Sequence, residues 1–142
     1  MILDSLLLLD DDLTTTTNVA SSSVIDTVAA GDSYEGAWFF VQVSTSFTAT
    51  GAPKTSFQVQ TSATEAFTVV ATLVASSEYL VAELPAGTFI KMRIPPGAKR
   101  YIRGYKYISN YTSSTIVLTA CAYSMYICKD VSIPVESPNV LA

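Results

Sequence analysis

The sequence contains no histidine and few charged residues, and each shortage excludes a class of function. Without histidine, the 142 residues cannot form a Ser-His-Asp or Cys-His catalytic set or offer an imidazole to a metal ion. Charged residues make up 14% of the chain, against about 25% in typical globular domains, and hydrophobic residues make up 49%. Intrinsic disorder is excluded, because it requires low hydrophobicity and high net charge. We therefore expect a folded domain that is not an enzyme and uses no cofactor.

Cysteine is also scarce, and the spacing of Cys121 and Cys128 argues against a disulfide bond between them. On a single strand they would lie on opposite faces, about 23 Å apart at ~3.3 Å per residue. A disulfide requires Cα atoms within about 7 Å, and a zinc site takes four ligands. We interpret Cys121 as a small strand residue and Cys128 as a free thiol or an intermolecular partner.

Long apolar runs are absent as well. No stretch approaches the roughly 18 apolar residues of a membrane-spanning helix, so we expect no membrane association. A short apolar run near the N-terminus comprises Leu6, Leu7, Leu8 and Leu9. It follows no basic residue and runs directly into Asp10–Asp12, so we predict that it is not a signal peptide.

The residues that are abundant favour strands. The chain has 17 serines and 17 threonines, and short segments with apolar side chains at alternate positions are separated by turn signals such as Pro95-Pro96-Gly97. The predicted strands are 24–28, 37–45, 55–61, 68–75, 79–83, 88–94, 99–109 and 115–127. About eight antiparallel strands at this spacing predict an all-β fold, a jelly roll or β-sandwich.

The two ends of the chain lack this alternation. We predict an N-terminal arm over residues 1–23, a jelly-roll domain over 24–128 and an extended C-terminal tail over 129–142. The arm would be ordered mainly by contact with a partner, with Leu6–Leu9 as buried anchors. In the alternative interpretation, Leu6–Leu9 is the first strand of the core.

Charge is strongly sorted along the chain. Residues 1–53 hold seven acidic and no basic residues, whereas residues 91–106 hold six basic and no acidic residues. On an extended chain Tyr101, Arg103, Tyr105 and Tyr107 share one face, with Arg100, Ile102, Lys106 and Ile108 on the other. Arginine and large aromatic side chains are typical of protein interfaces. The net charge of -4 and the pI of about 4.5 argue against nucleic acid as the partner.

We therefore predict that the basic residues of strands 88–94 and 99–109 form a strand pair that faces an acidic surface. That surface could belong to this chain, to a neighbouring subunit or to another protein. The candidate partner-binding residues are Leu6, Leu7, Leu8, Leu9, Arg93, Lys99, Arg100, Tyr101, Arg103 and Tyr105. No metal site is expected, because Asp10–Asp12 lacks the alternating spacing of a calcium loop. Trp38 and the tyrosines could instead form a sugar-binding platform, which keeps a glycan-binding module as the alternative function.

Four segments carry a family resemblance: Met1-Ile2-Leu3-Asp4, Val24-Ile25-Asp26, residues 56–67 (SFQVQTSATEAF) and residues 84–103 (LPAGTFIKMRIPPGAKRYIR). In these segments the chain resembles the jelly-roll capsid cement proteins of tailed bacteriophages, of the Bordetella-phage type. The resemblance covers about residues 1–127. The chain departs from the family pattern at Leu6–Thr17 and after Lys129.

The resemblance implies a decoration protein of the virion, made in the host cytoplasm. A homodimer or homotrimer would bind the outside of the phage head and clamp neighbouring subunits of the major capsid protein. Neither nucleic acid nor membrane would be a partner.

Overall fold

The computed structural model describes residues 8–27, 37–109 and 117–128, together with the backbone of 140–141. Almost all regular structure in this part of the chain is strand, with one 3-10 turn at Val81–Glu83. The strands are β1 (Leu8–Leu13), β2 (Val19–Ala20), β3 (Ile25–Asp26), β4 (Trp38–Thr50), β5 (Lys54–Ser62), β6 (Ala71–Ala75), β7 (Tyr79–Leu80), β8 (Phe89–Arg93), β9 (Tyr101–Ser109), β10 (Val117–Cys128) and β11 (Val140–Leu141).

The strands form two sheets. The first sheet has the order β1-β10-β4-β8-β11, and the second has the order β2-β9-β5-β6, with β3 on β9 and β7 on β5. Because β2 and β3 share one position in the second sheet, and β6 and β7 share another, the strands before β11 occupy eight positions. The chain alternates between the sheets in the order of a jelly roll, and all pairs except β8 with β11 are antiparallel. The prediction of an all-β sandwich is confirmed.

The core lies between the two sheets and follows from the period-two pattern of the long strands. Phe39, Val41 and Val43 of β4 all point inward and are at most 1% exposed. Near the middle of the core, the ring of Phe57 on β5 lies 5.4 Å from the ring of Tyr123 on β10. These aromatic contacts join the two sheets.

Three strands have no counterpart among the predicted ones: β1, β2 and β11. Period-two alternation fails in β1, where Leu8, Leu9 and Asp10 are successively half-buried, buried and buried. The cause is local, because the pairing of β1 with β10 shifts register twice and Asp12 has a φ of 55°. β2 and β11 have two residues each, which is too short for a pattern.

These strands correct the predicted domain boundaries. Within the described residues the sandwich begins at Leu8 and not at Val24, because β1 pairs with β10 and β2 pairs with β9. Hydrogen bonds hold the residues on either side of β2 in place: Ser21 N donates to Gly104 O (2.8 Å), and Ile108 N donates to Asn18 Oδ1 (2.7 Å). At the other end, Val140–Leu141 adds a strand to β8, while residues 129–139 of the predicted tail lie outside the described residues.

The cysteines lie as the spacing predicts, on opposite faces of β10. Cys121 faces the interior with Tyr123, Met125 and Ile127. Cys128 packs on the outer face of the first sheet.

Candidate partner-binding surface

Strand β9 presents its aromatic and basic residues on the outer face of the second sheet. Its buried residues are Ile102, Gly104, Lys106 and Ile108, which alternate with partly exposed Tyr101, Arg103, Tyr105 and Tyr107. This is the division of faces that the alternation predicts. The regular antiparallel register with β5 over nine residue pairs preserves it.

The outward residues of β9 stand beside polar residues of β5. Tyr105 pairs with Gln58, Arg103 with Gln60 and Tyr107 with Ser56. We call this surface, made of Tyr101, Arg103, Tyr105 and Tyr107 with Gln58 and the buried Gln60, the open face. Tyr107 is 41% exposed, so the open face offers aromatic area to a partner.

Arg103 is held in place on the open face. Its Nε donates to Gln60 Oε1 (2.9 Å), and its guanidinium carbon lies 4.2 Å from the centroid of the Phe67 ring and 5.8 Å from that of Tyr105. Partial burial lowers the pKa of Arg103, with Tyr105 acting in the opposite direction. A base fixed over aromatic rings has little rotamer entropy to lose on binding.

Arg100 and Lys99 lie at the end of β9. Arg100 Nε and one of its terminal nitrogens donate to the two carboxylate oxygens of Asp26, at 2.8 Å and 3.0 Å. This hydrogen bonding raises the pKa of Arg100. Lys99 is tied through its backbone, whose N–H donates to Thr61 Oγ1 (2.8 Å). For Arg100, the acidic surface foreseen from the charge sorting belongs to the same chain.

Arg93 lies elsewhere. It belongs to β8 in the first sheet, whereas Arg103 belongs to β9 in the second and Lys99 and Arg100 directly precede β9, so the prediction of one basic strand pair is wrong. Arg93 and Lys91 lie over the ring of Trp38, at 5.0 Å and 4.8 Å from its centroid. The error arose because adjacent strands of a jelly roll alternate between sheets, which a charge pattern does not show.

Trp38 belongs to a second apolar cluster, on the outer face of the first sheet. We call it the closed cluster, and its members are Leu8, Trp38, Phe40, Phe89, Tyr126 and Cys128. Phe40 is 0% exposed, and its ring lies 5.0 Å from that of Phe89 and 5.2 Å from that of Tyr126. Burial raises the pKa of Tyr126 to about 12, and Cys128 adds to the shift.

The leucines proposed as partner anchors divide between the two sides of β1. Leu9 is 0% exposed and packs in the main core, while Leu8 packs on the closed cluster. Leu6 and Leu7 lie outside the described residues. Leu8 and Leu9 therefore stabilise the sandwich itself, in agreement with the alternative interpretation of this run as core.

One group of buried polar residues was not anticipated. Lys106 is 0% exposed and Asp10 is 1% exposed, both inside the sandwich. Lys106 Nζ donates to Thr15 O and, at 3.8 Å, to Cys121 Sγ. Desolvation lowers the pKa of Lys106, opposed by Cys121 and Asp10, and desolvation raises the pKa of Asp10, opposed by Ser22 and Lys106. The alternation of β9 puts Lys106 on the same face as Ile102 and Ile108. Its proximity to Asp10 and Thr15 depends on the pairing of distant strands and has no signal in the local sequence.

Lys106 is therefore the base that secures the N-terminal segment to β9, and it offers nothing to an external partner. The described residues contain no group of three or more acidic or cysteine side chains arranged to hold a metal ion. Nor does any helix within this part of the chain have the length and hydrophobicity needed to cross a bilayer.

Comparison with known proteins adds one finding. The family model Bbp16 matches residues 9–127, which span the sandwich from β1 to β10. The matched region contains the whole open face and most of the closed cluster. A search of curated proteins found no match.

Proposed function

Because the chain belongs to the Bbp16 family, a family of Bordetella phage proteins, we propose that it is a structural protein of the virion. In this proposal it is a capsid cement protein that binds the outside of the phage head and clamps neighbouring subunits of the major capsid protein. It acts as a homodimer or homotrimer and is made in the host cytoplasm before it attaches to the head.

The open face carries this proposal. Tyrosine and arginine are the residues that most often dominate the binding energy of protein interfaces. Here they stand on a sheet, and hydrogen bonds and ring contacts fix Arg103 before any partner arrives. Ordering costs on binding are correspondingly small, which suits a protein that must hold its partners permanently.

The chemistry of the open face also defines its partner. Arg103 is a partly buried base that contacts the rings of Phe67 and Tyr105, and the carboxylate of Asp26 already engages Arg100 at the edge of the face. A complementary capsid surface would present an acidic residue to Arg103 and flat apolar or aromatic area to the tyrosines. Charge complementarity of this kind selects the partner more than it increases affinity.

A direct test is electron microscopy of virions that carry this protein. We expect a jelly-roll density of this size on the outer surface of the head, at contacts between major capsid subunits. Density for the protein in the tail, or no such density on the outer surface of the head, would contradict the proposal.

A glycan-binding module is the second candidate, and the open face supports it too. The amides of Gln58 and Gln60 are hydrogen-bonded to each other (3.3 Å) beside Tyr105 and Arg103, and amides beside aromatic rings are common in ligand sites. Retention of the protein on polysaccharide columns, lost in Tyr105→Ala, would favour this function. Attachment to deglycosylated capsids would favour the cement protein.

A further inference from the structure

Among the described residues, the edges of the two sheets differ in how they are protected against pairing with another strand. An unpaired edge strand is a template for another strand, and most proteins block it with charge, proline, bulges or short strands. Edge strand β1 carries Asp10–Asp12 and two register shifts. On the second sheet, the edge formed by β2 and β3 consists of two-residue strands.

The opposite edge of the second sheet lacks most of this protection. It is formed by β6, with β7 continuing along β5. Residues 68–77, with the sequence TVVATLVASS, contain no charge, no proline and no glycine. The pairing of β6 with β5 has one register shift, and no charged side chain accompanies it.

This edge is also where apolar side chains reach solvent. Val69 is 69% exposed, Val70 is 41% exposed and Leu80 is 40% exposed. These are three of the five large hydrophobic residues that are exposed in the described part of the chain; the others are Val24 and Tyr107. These side chains flank β6, since Val69 and Val70 directly precede it and Leu80 lies on β7. Exposed apolar side chains beside an unpaired sheet edge are typical of a protein interface.

We infer that this edge, residues 68–80, is the surface through which two copies of the chain join, by antiparallel pairing of β6 with β6. The inference rests on the self-association that is part of the proposed function. In such a pair identical residues lie symmetrically about a two-fold axis, so like charges would face each other if the strand were charged. With the axis at Leu73, Glu78 of one copy lies opposite the neutral Thr68 of the other. A neutral strand is thus suited to pair with itself.

The geometry of this pairing has a consequence for function. An antiparallel strand pair related by a two-fold axis has that axis normal to the sheet, so the same face of the sheet points outward in both copies. The open faces of the two copies would therefore lie side by side on one surface. Such a dimer presents two binding surfaces at a fixed spacing, and simultaneous engagement increases affinity without any new type of contact.

Sedimentation of the wild-type protein at concentrations from about 1 to about 500 µM tests the inference, because an interface of one strand per copy is smaller than the standard stable interface and should dissociate in this range. The test variant is Val69→Lys/Val70→Lys, which puts two positive charges per copy into the apolar surface that the pairing would cover. The matched control is Val24→Lys, which adds charge at a similarly exposed position on the opposite edge of the same sheet.

We expect the wild type and Val24→Lys to form dimers, and the dimer dissociation constant of Val69→Lys/Val70→Lys to rise at least about tenfold. A wild-type protein that is monomeric over the whole range would overturn the inference, as would a test variant that dimerises like the control. Neither result depends on attachment to capsids, so capsid binding, the other part of the proposed function, can stand or fall separately.

Disulfide cross-linking gives a second readout that does not weaken the edge. Single cysteines are introduced in turn at positions 69–75, and the existing Cys121 and Cys128, which are 5% and 7% exposed, serve as background in the wild type. Pairing about a two-fold axis predicts that cross-linking peaks at one position and falls on both sides of it. Cross-links at none of the positions, in a protein that sediments as a dimer, would show that the copies join elsewhere.

Discussion

The outer faces of the two sheets use similar residues for different purposes. Each has a base over an aromatic ring: Lys91 lies over Trp38 on the first sheet, and Arg103 lies over Phe67 on the second. On the first sheet, however, Phe40 of the closed cluster is 0% exposed, whereas Tyr107 of the open face is 41% exposed. Residue type alone therefore does not identify a binding surface, and burial separates aromatic residues that stabilise the fold from those free to contact a partner.

The largest expected difference between the two faces is in stability. Phe40→Ala removes a fully buried ring and should lower the free energy of unfolding by about 3–5 kcal/mol. The matched change on the open face, Tyr107→Ala, should lower it by less than about 1 kcal/mol, because that side chain is already exposed. Urea denaturation of both variants measures the difference, and equal losses would show that the open face is also part of the packed structure.

The sequence predicted the open face but not the closed cluster as a distinct unit. Alternation alone assigns Tyr101, Arg103, Tyr105 and Tyr107 to one side of β9, because β9 pairs with β5 without a bulge. Placing Leu8, Phe89 and Tyr126 together requires knowing that β1, β8 and β10 share a sheet, and that information is non-local.

The same lack of non-local information explains why the prediction of a basic strand pair was wrong. Three basic residues that are close in sequence lie in three different places. Lys106 is buried inside the sandwich, Arg100 forms an ion pair with Asp26, and Arg93 lies over the ring of Trp38. The acidic residues that balance two of them come from β1 and β3, whose pairing with distant strands leaves no local signal. Strands with regular alternation could thus be predicted from sequence, whereas irregular strands and contacts between distant strands could not.

A smaller difference in stability is expected between variants of the basic residues on the two outer faces. Arg103→Met should cost about 1–3 kcal/mol, because it leaves Oε1 of the buried Gln60 without its donor. Lys91→Met removes the contact with Trp38 and should cost about 0.5–1 kcal/mol. Chemical denaturation at neutral pH gives both values. If Lys91→Met is more destabilising than Arg103→Met, then the interactions of Arg103 do not hold it more firmly than the Trp38 contact holds Lys91.

The smallest expected effect concerns Tyr126 of the closed cluster, whose hydroxyl should influence stability only at alkaline pH. The pKa of Tyr126 is raised to about 12 in the folded protein. Above pH of about 10 the unfolded chain loses this proton first, so the stabilising contribution of the neutral hydroxyl is complete below pH 10 and is lost as the pH rises through 12. Tyr126→Phe should therefore show a shallower loss of stability above pH 10 than the wild type. If Tyr126→Phe loses stability above pH 10 as steeply as the wild type, burial of this hydroxyl is not the origin of the alkaline loss.

The central claim is that the open face binds the capsid, and rebinding to capsids stripped of this protein tests it most directly. Arg103→Glu is the informative variant, since Arg100→Glu would also place a carboxylate beside Asp26. Lys91→Glu makes the same reversal on the other sheet, and thermal unfolding confirms that each protein is folded. We predict that Arg103→Glu loses about tenfold or more in capsid affinity, or about 1.4 kcal/mol, while Lys91→Glu binds like the wild type. Equal occupancy by wild type and folded Arg103→Glu would contradict the account.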